Sequence, residues 1–172
     1  MNSIQLRAIE KEDLHFLYQI ENNRQYWNYS NRIESYSKTL LKNFIEIQQQ
    51  DIYQTRQKRF LIIIQENTKC GFVDLFEFEP KHQRASVGII VIEKFRSKGI
   101  GFGALSLLEE YSKNILNLHQ VYAHIAKENA PSIKLFEKAN YNLIGVKKDW
   151  NFYNNKFHDE LLYQKLLLVA KP

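Results

Sequence analysis

The chain has 172 residues, 44% of them hydrophobic and 25% charged, with 24 Lys and Arg against 19 Asp and Glu for a net charge of +5. This balance suits one globular domain with a real core, expected to span 1-172, and it excludes a disordered chain. A single cysteine, Cys70, excludes an internal disulfide, and the start Met1-Asn2-Ser3-Ile4-Gln5 has no apolar core to serve as a signal peptide.

Taken in chain order, Ile4–Ala8 alternates and reads as a short strand. Glu12 to Glu21 places Leu14, Leu17, Tyr18 and Ile20 at helical spacing, and Ser37 to Asp51 does the same with Leu40, Leu41, Phe44, Ile45 and Ile47. Between them Arg24–Ser37 is aromatic without a period and reads as a loop or broken helix. Phe60–Ile64 is a β-branched strand, Asn67 to Gly71 a hairpin turn, and Phe72 to Phe78 a strand that sets Phe72, Asp74, Phe76 and Phe78 on one face. Pro80 to Gln83 turns the chain into Ala85–Ile92. Gly99 to Leu116 is a helix burying Leu105, Leu108, Tyr111, Ser112 and Ile115. Val121–Ala126 is a strand, Pro131–Ala139 a helix, and Tyr141–Val146 and His158–Leu168 are the last two strands.

The order is therefore β-α-α-β-β-β-α-β-α-β-β, a mixed sheet with helices packed on it. The strands flanking the Gly99 helix are expected to be parallel. The longest apolar runs, such as Leu61–Ile64 and Gly88–Ile92, fall far short of the ~20 residues that span a bilayer. A cytoplasmic protein is expected, without membrane contact. Basic residues are scattered, so nucleic acid is not an expected partner, and a phosphate-rich cofactor accounts equally well for the positive charge. No metal site is expected.

The informative segment is Arg96-Ser97-Lys98-Gly99-Ile100-Gly101-Phe102-Gly103-Ala104, between a strand and a helix. Glycines let backbone N–H groups converge on an anion, and the helix start adds its own unpaired donors. A Walker loop is excluded because no Gly-Lys-Ser or Gly-Lys-Thr is present. A dinucleotide fingerprint matches as a string, with Glu128 at a tolerable spacing, but six residues separate it from its strand and no doubly wound sheet follows. The third form, R/Q-x-x-G-x-G/A, fits Arg96, Gly99 and Gly101.

At this point the chain resembles the GNAT acyltransferase superfamily, in its ribosomal-protein and spermidine acetyltransferase branch. The resemblance also rests on Leu6 to Leu14, Gly71-Phe72-Val73-Asp74-Leu75, Ala85-Ser86-Val87-Gly88-Ile89, Leu118-His119-Gln120-Val121 and Glu128 to Lys138, in order and in register. It implies a central mixed, largely antiparallel sheet of about seven strands flanked by about four helices. It further implies an acetyl-CoA-dependent N-acetyltransferase in which the amine attacks directly in a ternary complex. The amides of Arg96, Ser97, Lys98, Gly99, Ile100 and Gly101 would hold the cofactor pyrophosphate. Ile89, Ile90 and Val91 would pair with the pantetheine arm, and Asn129 and Ser132 would touch the cofactor. Asn129 also reads as a helix N-cap before Pro131.

Phe136 stands where spermidine-type relatives carry a tyrosine as presumed acid, so thiolate protonation would fall to Tyr141, Tyr122 or water. Asp74 and Glu77 match acidic positions of the third strand. Three residues apart, they are expected on opposite faces, with at most one in the cleft. Ser86 replaces a glutamate common in relatives, and His124 is either core or a proton relay. The expected acceptor is a peptide or protein N-terminus, a polyamine or another small amine. Polyamine ranks below the peptide because Glu21 and Glu34 face Arg24, Arg32 and Lys38, and the acidic pair of a polyamine allosteric loop is reduced to Glu34. Tyr26, Trp27, Tyr29 and Tyr36 would line the acceptor mouth or cap the core. A non-catalytic acyl-CoA-binding or regulatory module is the alternative that Phe136 favours. The aliphatic end Phe157 to Leu168 allows a homodimer or higher oligomer.

Overall fold

The structure is a computed structural model that describes residues 3–29 and 33–167. Arg32, one of the cations weighed against a polyamine, and Leu168 at the expected end of the last strand lie outside them. Strand β1, Gln5–Ala8, leads through a 3-10 turn to helix α1, Leu14–Glu21, and then to α2, Lys38–Ile47, and the short α3, Ile52–Thr55. Strands β2 (Lys58–Ile64), β3 (Thr68–Glu79) and β4 (Arg84–Val91) follow. Helix α4 (Ile100–Asn114), β5 (Gln120–Ala126), α5 (Ala130–Lys138), β6 (Asn142–Tyr153) and β7 (Lys156–Leu166) complete the chain.

The helix starts are set by local chemistry. Ser37 Oγ accepts from Leu40 N at 3.1 Å to cap α2, and Asp51 Oδ1 accepts from Tyr53 N at 2.7 Å to cap α3. The four-residue α3 lies within a polar stretch, Asp51 to Gln57, with no apolar period to announce it.

The seven strands form one sheet in the order β1-β2-β3-β4-β5-β7-β6, and every neighbouring pair is antiparallel except β4 and β5. The mixed, largely antiparallel sheet and the parallel strands around α4 match expectation. One face buries Val73, Leu75, Val87 and Val121 under Ala104, Leu105 and Leu108 of α4 and Phe136 of α5. The other face packs Leu61, Ile63 and Phe72 against Leu17 and Ile20 of α1 and Leu41 and Ile45 of α2.

Several boundaries differ from the sequence reading. The β2–β3 turn is Gln65–Asn67, where Glu66 and Asn67 take positive φ, so Cys70 and Gly71 lie inside β3 and Cys70 is fully buried. Helix α4 ends at Asn114, and Ile115 is exposed rather than on the buried face. Strand β6 runs on to Tyr153, well past Val146, and turns into β7 through Asn154 and Asn155, both at positive φ. Phe78 leaves the face of Phe72 and joins the core with Val73 and Leu75. The cause is a bulge between Phe76 and Glu79, with Glu77 at φ 50°, which inserts a residue and reverses the alternation.

Gly71 sits where β3 is pressed on β4. It has φ 152°, and an added Cβ would overlap the Ile90 carbonyl oxygen, a backbone atom that cannot swing away. Gly145 in β6 has nothing within 4 Å of an added Cβ. Gly71→Ala is therefore expected to destabilise the fold by about 2 kcal/mol or more, and Gly145→Ala to stay within about 0.5 kcal/mol. Urea unfolding of the two variants checks the contrast.

Candidate active site

Strands β4 and β5 pair over only three positions, Arg84↔Gln120, Ala85↔Val121 and Ser86↔Tyr122. Beyond them each strand stays fastened on its far side. β4 pairs with β3 up to Val91↔Gly71, and β5 pairs with β7 up to Ala126↔Glu160. The two strands thus diverge from Val87 onward, and the edge of β4 through Ile89, Ile90 and Val91 faces an opening instead of a neighbour. An unpaired strand edge offers N–H and C=O groups to an extended ligand with amides of its own.

The chain leaves that opening through a 3-10 turn at Glu93–Phe95 and enters the glycine loop. Arg96 is extended, while Ser97 and Gly99 are left-handed, at φ 59° and 78°. Such alternation turns successive N–H groups toward one side, which makes a cradle for an anion. Gly99 caps α4 with no side-chain acceptor, so the first N–H groups of α4 remain available. Arg96 Nε donates to Val91 O at 2.9 Å and ties the loop to the end of β4, while Ser97 and Lys98 are exposed. Gly101 marks where β4, α4 and α5 converge, since a Cβ there would lie 3.2 Å from Leu135 and 3.7 Å from Val91. These residues fit the diphosphate and amide-bearing arm of an acyl-CoA.

Asn129 performs the capping role read for it: its Oδ1 accepts from Ser132 N at 3.3 Å at the start of α5. The adjoining Glu128 accepts from His158 Nδ1 at 2.9 Å and from Tyr153 Oη at 3.1 Å, which fastens the tip of the β6–β7 hairpin to the β5–α5 loop. Phe136 is buried and meets Tyr141 edge-on at 4.9 Å.

The three expected catalytic residues have different surroundings. Tyr141 is 3% exposed and belongs to the main core. Burial first, and then Glu109, push its hydroxyl far above the usual tyrosine pKa, so its placement departs from that of a proton donor in the cleft. Asp74 binds Arg59 through both oxygens, at 2.7 Å each, and the same guanidinium binds Glu21. Arg59 lies between the rings of Phe44 and Phe72, 5.2 and 5.3 Å from their centres. Burial works against its charge, yet Asp74 and Glu21 outweigh it and raise the pKa. Asp74 is thus a half-buried partner in an ion cluster that joins α1, β2 and β3, with both oxygens engaged by Arg59.

Glu77 is the exposed carboxylate. The bulge turns it toward Tyr122 and His124, which alternate with the buried Val121, Ala123 and Ile125 and so share the sheet face of Asp74. The two carboxylates therefore do not lie on opposite faces, because the inserted residue shifts the strand's phase. Tyr122 Oη donates to Glu77 Oε2 at 3.0 Å, and His124 Nε2 stands 3.9 Å from the same oxygen. Burial, followed by Glu77, raises the Tyr122 pKa well above its ordinary value. Burial and then Lys147 lower that of His124, against Glu160 and Glu77.

Lys147 and Glu160 were not among the expected site residues. They belong to the part of β6 beyond Val146 and its partner strand, where the sequence carries no motif. On the side of α1, a cavity of about 560 Å³ is lined by Phe16, Gln19, Ile20, Asn23, Tyr26 and Ile92 among others. Of the expected mouth aromatics Tyr26 lines this cavity, Trp27 donates to Glu21 O and Tyr29 is exposed.

The acetyltransferase (GNAT) domain family matches residues 3–142. The spermidine N(1)-acetyltransferase of Vibrio cholerae is 30% identical over 163 residues, covering 92% of this chain and 91% of the relative. That of Escherichia coli K12 is 26% identical, covering 93% and 84%. The crystal structure of the Vibrio cholerae enzyme in complex with CoA and spermine superposes with a TM-score of 0.88 at 27% identity, over 96% of each chain. A dodecameric structure of the same enzyme gives 0.78 over 95% and 94%. With a family match over most of its length and an overall superposition on these relatives, the chain belongs to the GNAT family and is an acetyl-CoA-dependent N-acetyltransferase of its spermidine and ribosomal-protein branch.

Proposed function

We propose that the chain acetylates a primary amine of a polyamine, with Glu77 as the general base. The observation that carries the reading is the divergence of β4 and β5 immediately beside Glu77, Tyr122 and His124. Acetyl-CoA supplies the acyl group as a thioester. Arg96 to Gly101 would bind its diphosphate, Ile89, Ile90 and Val91 would align its arm, and Asn129, Ser132 and the buried Phe136 would form the wall on the α5 side.

A polyamine reaches the site as an ammonium and must lose a proton before it can attack. Glu77 carries a carboxylate with Oε2 held by Tyr122, which leaves Oε1 for that proton. A tyrosine as weakly acidic as Tyr122 does not protonate a thiolate on its own. Two protons leave the nitrogen as the ammonium becomes an amide, one before attack and one after it; Glu77 Oε1 takes each in turn and passes one through water to the leaving sulfur and the other to solvent. The polyamine preference reverses the ranking drawn from charge alone, and what supports it is the similarity to two spermidine acetyltransferases over most of the chain. The exposed apolar side chains of the β6–β7 hairpin, Leu143, Ile144, Trp150, Phe152 and Phe157, support self-association, in line with the dodecameric relative.

With purified chain and acetyl-CoA, kcat/KM for spermidine is expected to exceed that for peptides with a free N-terminus by at least about tenfold. The opposite ranking overturns the polyamine assignment. Binding of CoA without turnover of any amine would leave the non-catalytic reading that the phenylalanine at position 136 favours. Glu77→Gln is expected to lower kcat by about 10²–10⁴ with the Kd for CoA unchanged. Lys98→Ala is expected to do the converse, weakening CoA by about tenfold in calorimetry through loss of one charge-assisted contact.

A further inference from the structure

The face that carries Glu77 also carries a chain of polar groups reaching from β3 across β5 and β7 to β6, and the reading of Glu77 as base gives it no role. His124 Nδ1 is 2.9 Å from Lys147 Nζ. A lysine ammonium has only hydrogens to offer, so this contact is a hydrogen bond when Nδ1 presents its lone pair. Lys147 is itself fixed from two other sides. Glu160 Oε1 accepts from Nζ at 3.0 Å, and Nζ lies 4.7 Å from the centre of the Trp150 ring. Glu160 is held in turn by Asn151, whose Nδ2 donates to Oε2 at 3.0 Å. Glu160 Oε1 is 3.4 Å from His124 Nδ1, farther than it is from the ammonium, so the carboxylate is engaged by Lys147.

A neutral imidazole that accepts at Nδ1 carries its proton at Nε2. Nε2 faces Glu77 Oε2, the oxygen that already accepts from Tyr122, at 3.9 Å, longer than a hydrogen bond, so its N–H acts on the carboxylate as an aimed dipole. The Tyr122 and His124 rings meet edge-on, 5.5 Å apart, which keeps the two donors side by side.

We propose that Lys147, anchored by Glu160 and Trp150, locks His124 in the Nε2–H form, and that His124 acts as a positioning residue that turns Glu77 Oε1 toward the acceptor amine. The inference rests on Glu77 being the base. The groups facing His124 are Glu77 from β3, Tyr122 from its own strand, Lys147 from β6 and Glu160 from β7. Burial and the Lys147 cation disfavour the imidazolium while Glu160 and Glu77 favour it, with a net downward shift of the pKa. Without Lys147 the balance tips back, so His124 takes a proton at a higher pH and Nδ1 loses its fixed donor.

The test begins with the intact, substrate-free protein labelled with ¹⁵N-histidine. At neutral pH the His124 signals, assigned by their loss in His124→Gln, are expected to show an unprotonated Nδ1 and a protonated Nε2. An Nδ1–H tautomer or an imidazolium there overturns the lock whatever the role of Glu77. Lys147→Met is expected to raise the pH at which those signals titrate, and an unchanged titration also overturns it.

Kinetics supply the second arm. The side-chain nitrogen of Gln reaches the place of Nε2, and that of Asn only the place of Nδ1. His124→Gln is expected to keep kcat within about threefold, and His124→Asn to lose about tenfold, with KM for acetyl-CoA unchanged in both. Equal losses in the two variants, at unchanged thermal melting, overturn the positioning role. A fully active Glu77→Gln variant with the predicted His124 tautomer would instead remove Glu77 as base and leave the lock standing.

Discussion

The site depends on the failure of β4 and β5 to remain paired. Two parallel strands that separate inside a continuous sheet would ordinarily close up, because each unpaired backbone group left without water or protein loses a hydrogen bond. Here closure is opposed from both flanks. β3 holds β4 through Val91, β7 holds β5 through Ala126, and α4 and α5 pack Leu105, Leu108 and Phe136 beneath the gap. The opening is therefore a property of the whole sheet rather than of the residues that line it. Whatever fills it must bring its own donors and acceptors in an extended arrangement, and the glycine loop at its mouth then receives the charged end of the same molecule.

On the reading of Glu77 as base, the two carboxylates of β3 divide structural from chemical work. Asp74 is half-buried beside the buried Glu21, and carboxylates so withdrawn from water are tolerable only with a cation committed to them. Arg59 meets that need for Asp74 and Glu21 at once, so the cluster fastens α1 to the sheet. Glu77 stands on the bulge at φ 50°, a conformation unfavourable for a glutamate, and remains exposed with one oxygen tethered. Backbone strain kept at a position that aims a polar side chain into a cleft is a common companion of function.

Much of the fold was legible because its signals are local. The apolar periods of α1, α2, α4 and α5 and the alternating or β-branched runs placed the main helices and seven strands, and the glycine string marked the loop between β4 and α4. What escaped were features that arise from pairing. The phase shift at Glu77 is invisible in an alternation of Phe72, Asp74, Phe76 and Phe78 that looks unbroken, and the engagement of Asp74 by Arg59 requires strands 15 residues apart to lie side by side. The length of β6 was hidden because Lys147 to Tyr153 is polar and aromatic without a clean period. Since Lys147 and Glu160 meet only across the β6–β7 register, their place beside His124 had no sequence signal at all.

The substitution of phenylalanine at position 136 gains a physical meaning from this arrangement. A side chain there is buried against Tyr141, and the hydroxyl of Tyr141 points into the surroundings of Glu109 and Lys165, where burial suppresses its acidity. At position 136 the α5 side of the opening is thus apolar, where a tyrosine would have brought a hydroxyl. On the opposite strand face Tyr122 donates to Glu77, and His124 Nε2 stands 3.9 Å from the same oxygen with its ring edge-on to Tyr122. On the reading of Glu77 as base, the nitrogen gives up two protons as the ammonium becomes an amide and the thiolate takes one, so one connected cluster suffices if it passes the remaining proton to solvent. A chain that gathers its titratable groups on one side of the gap can therefore dispense with the hydroxyl on the other.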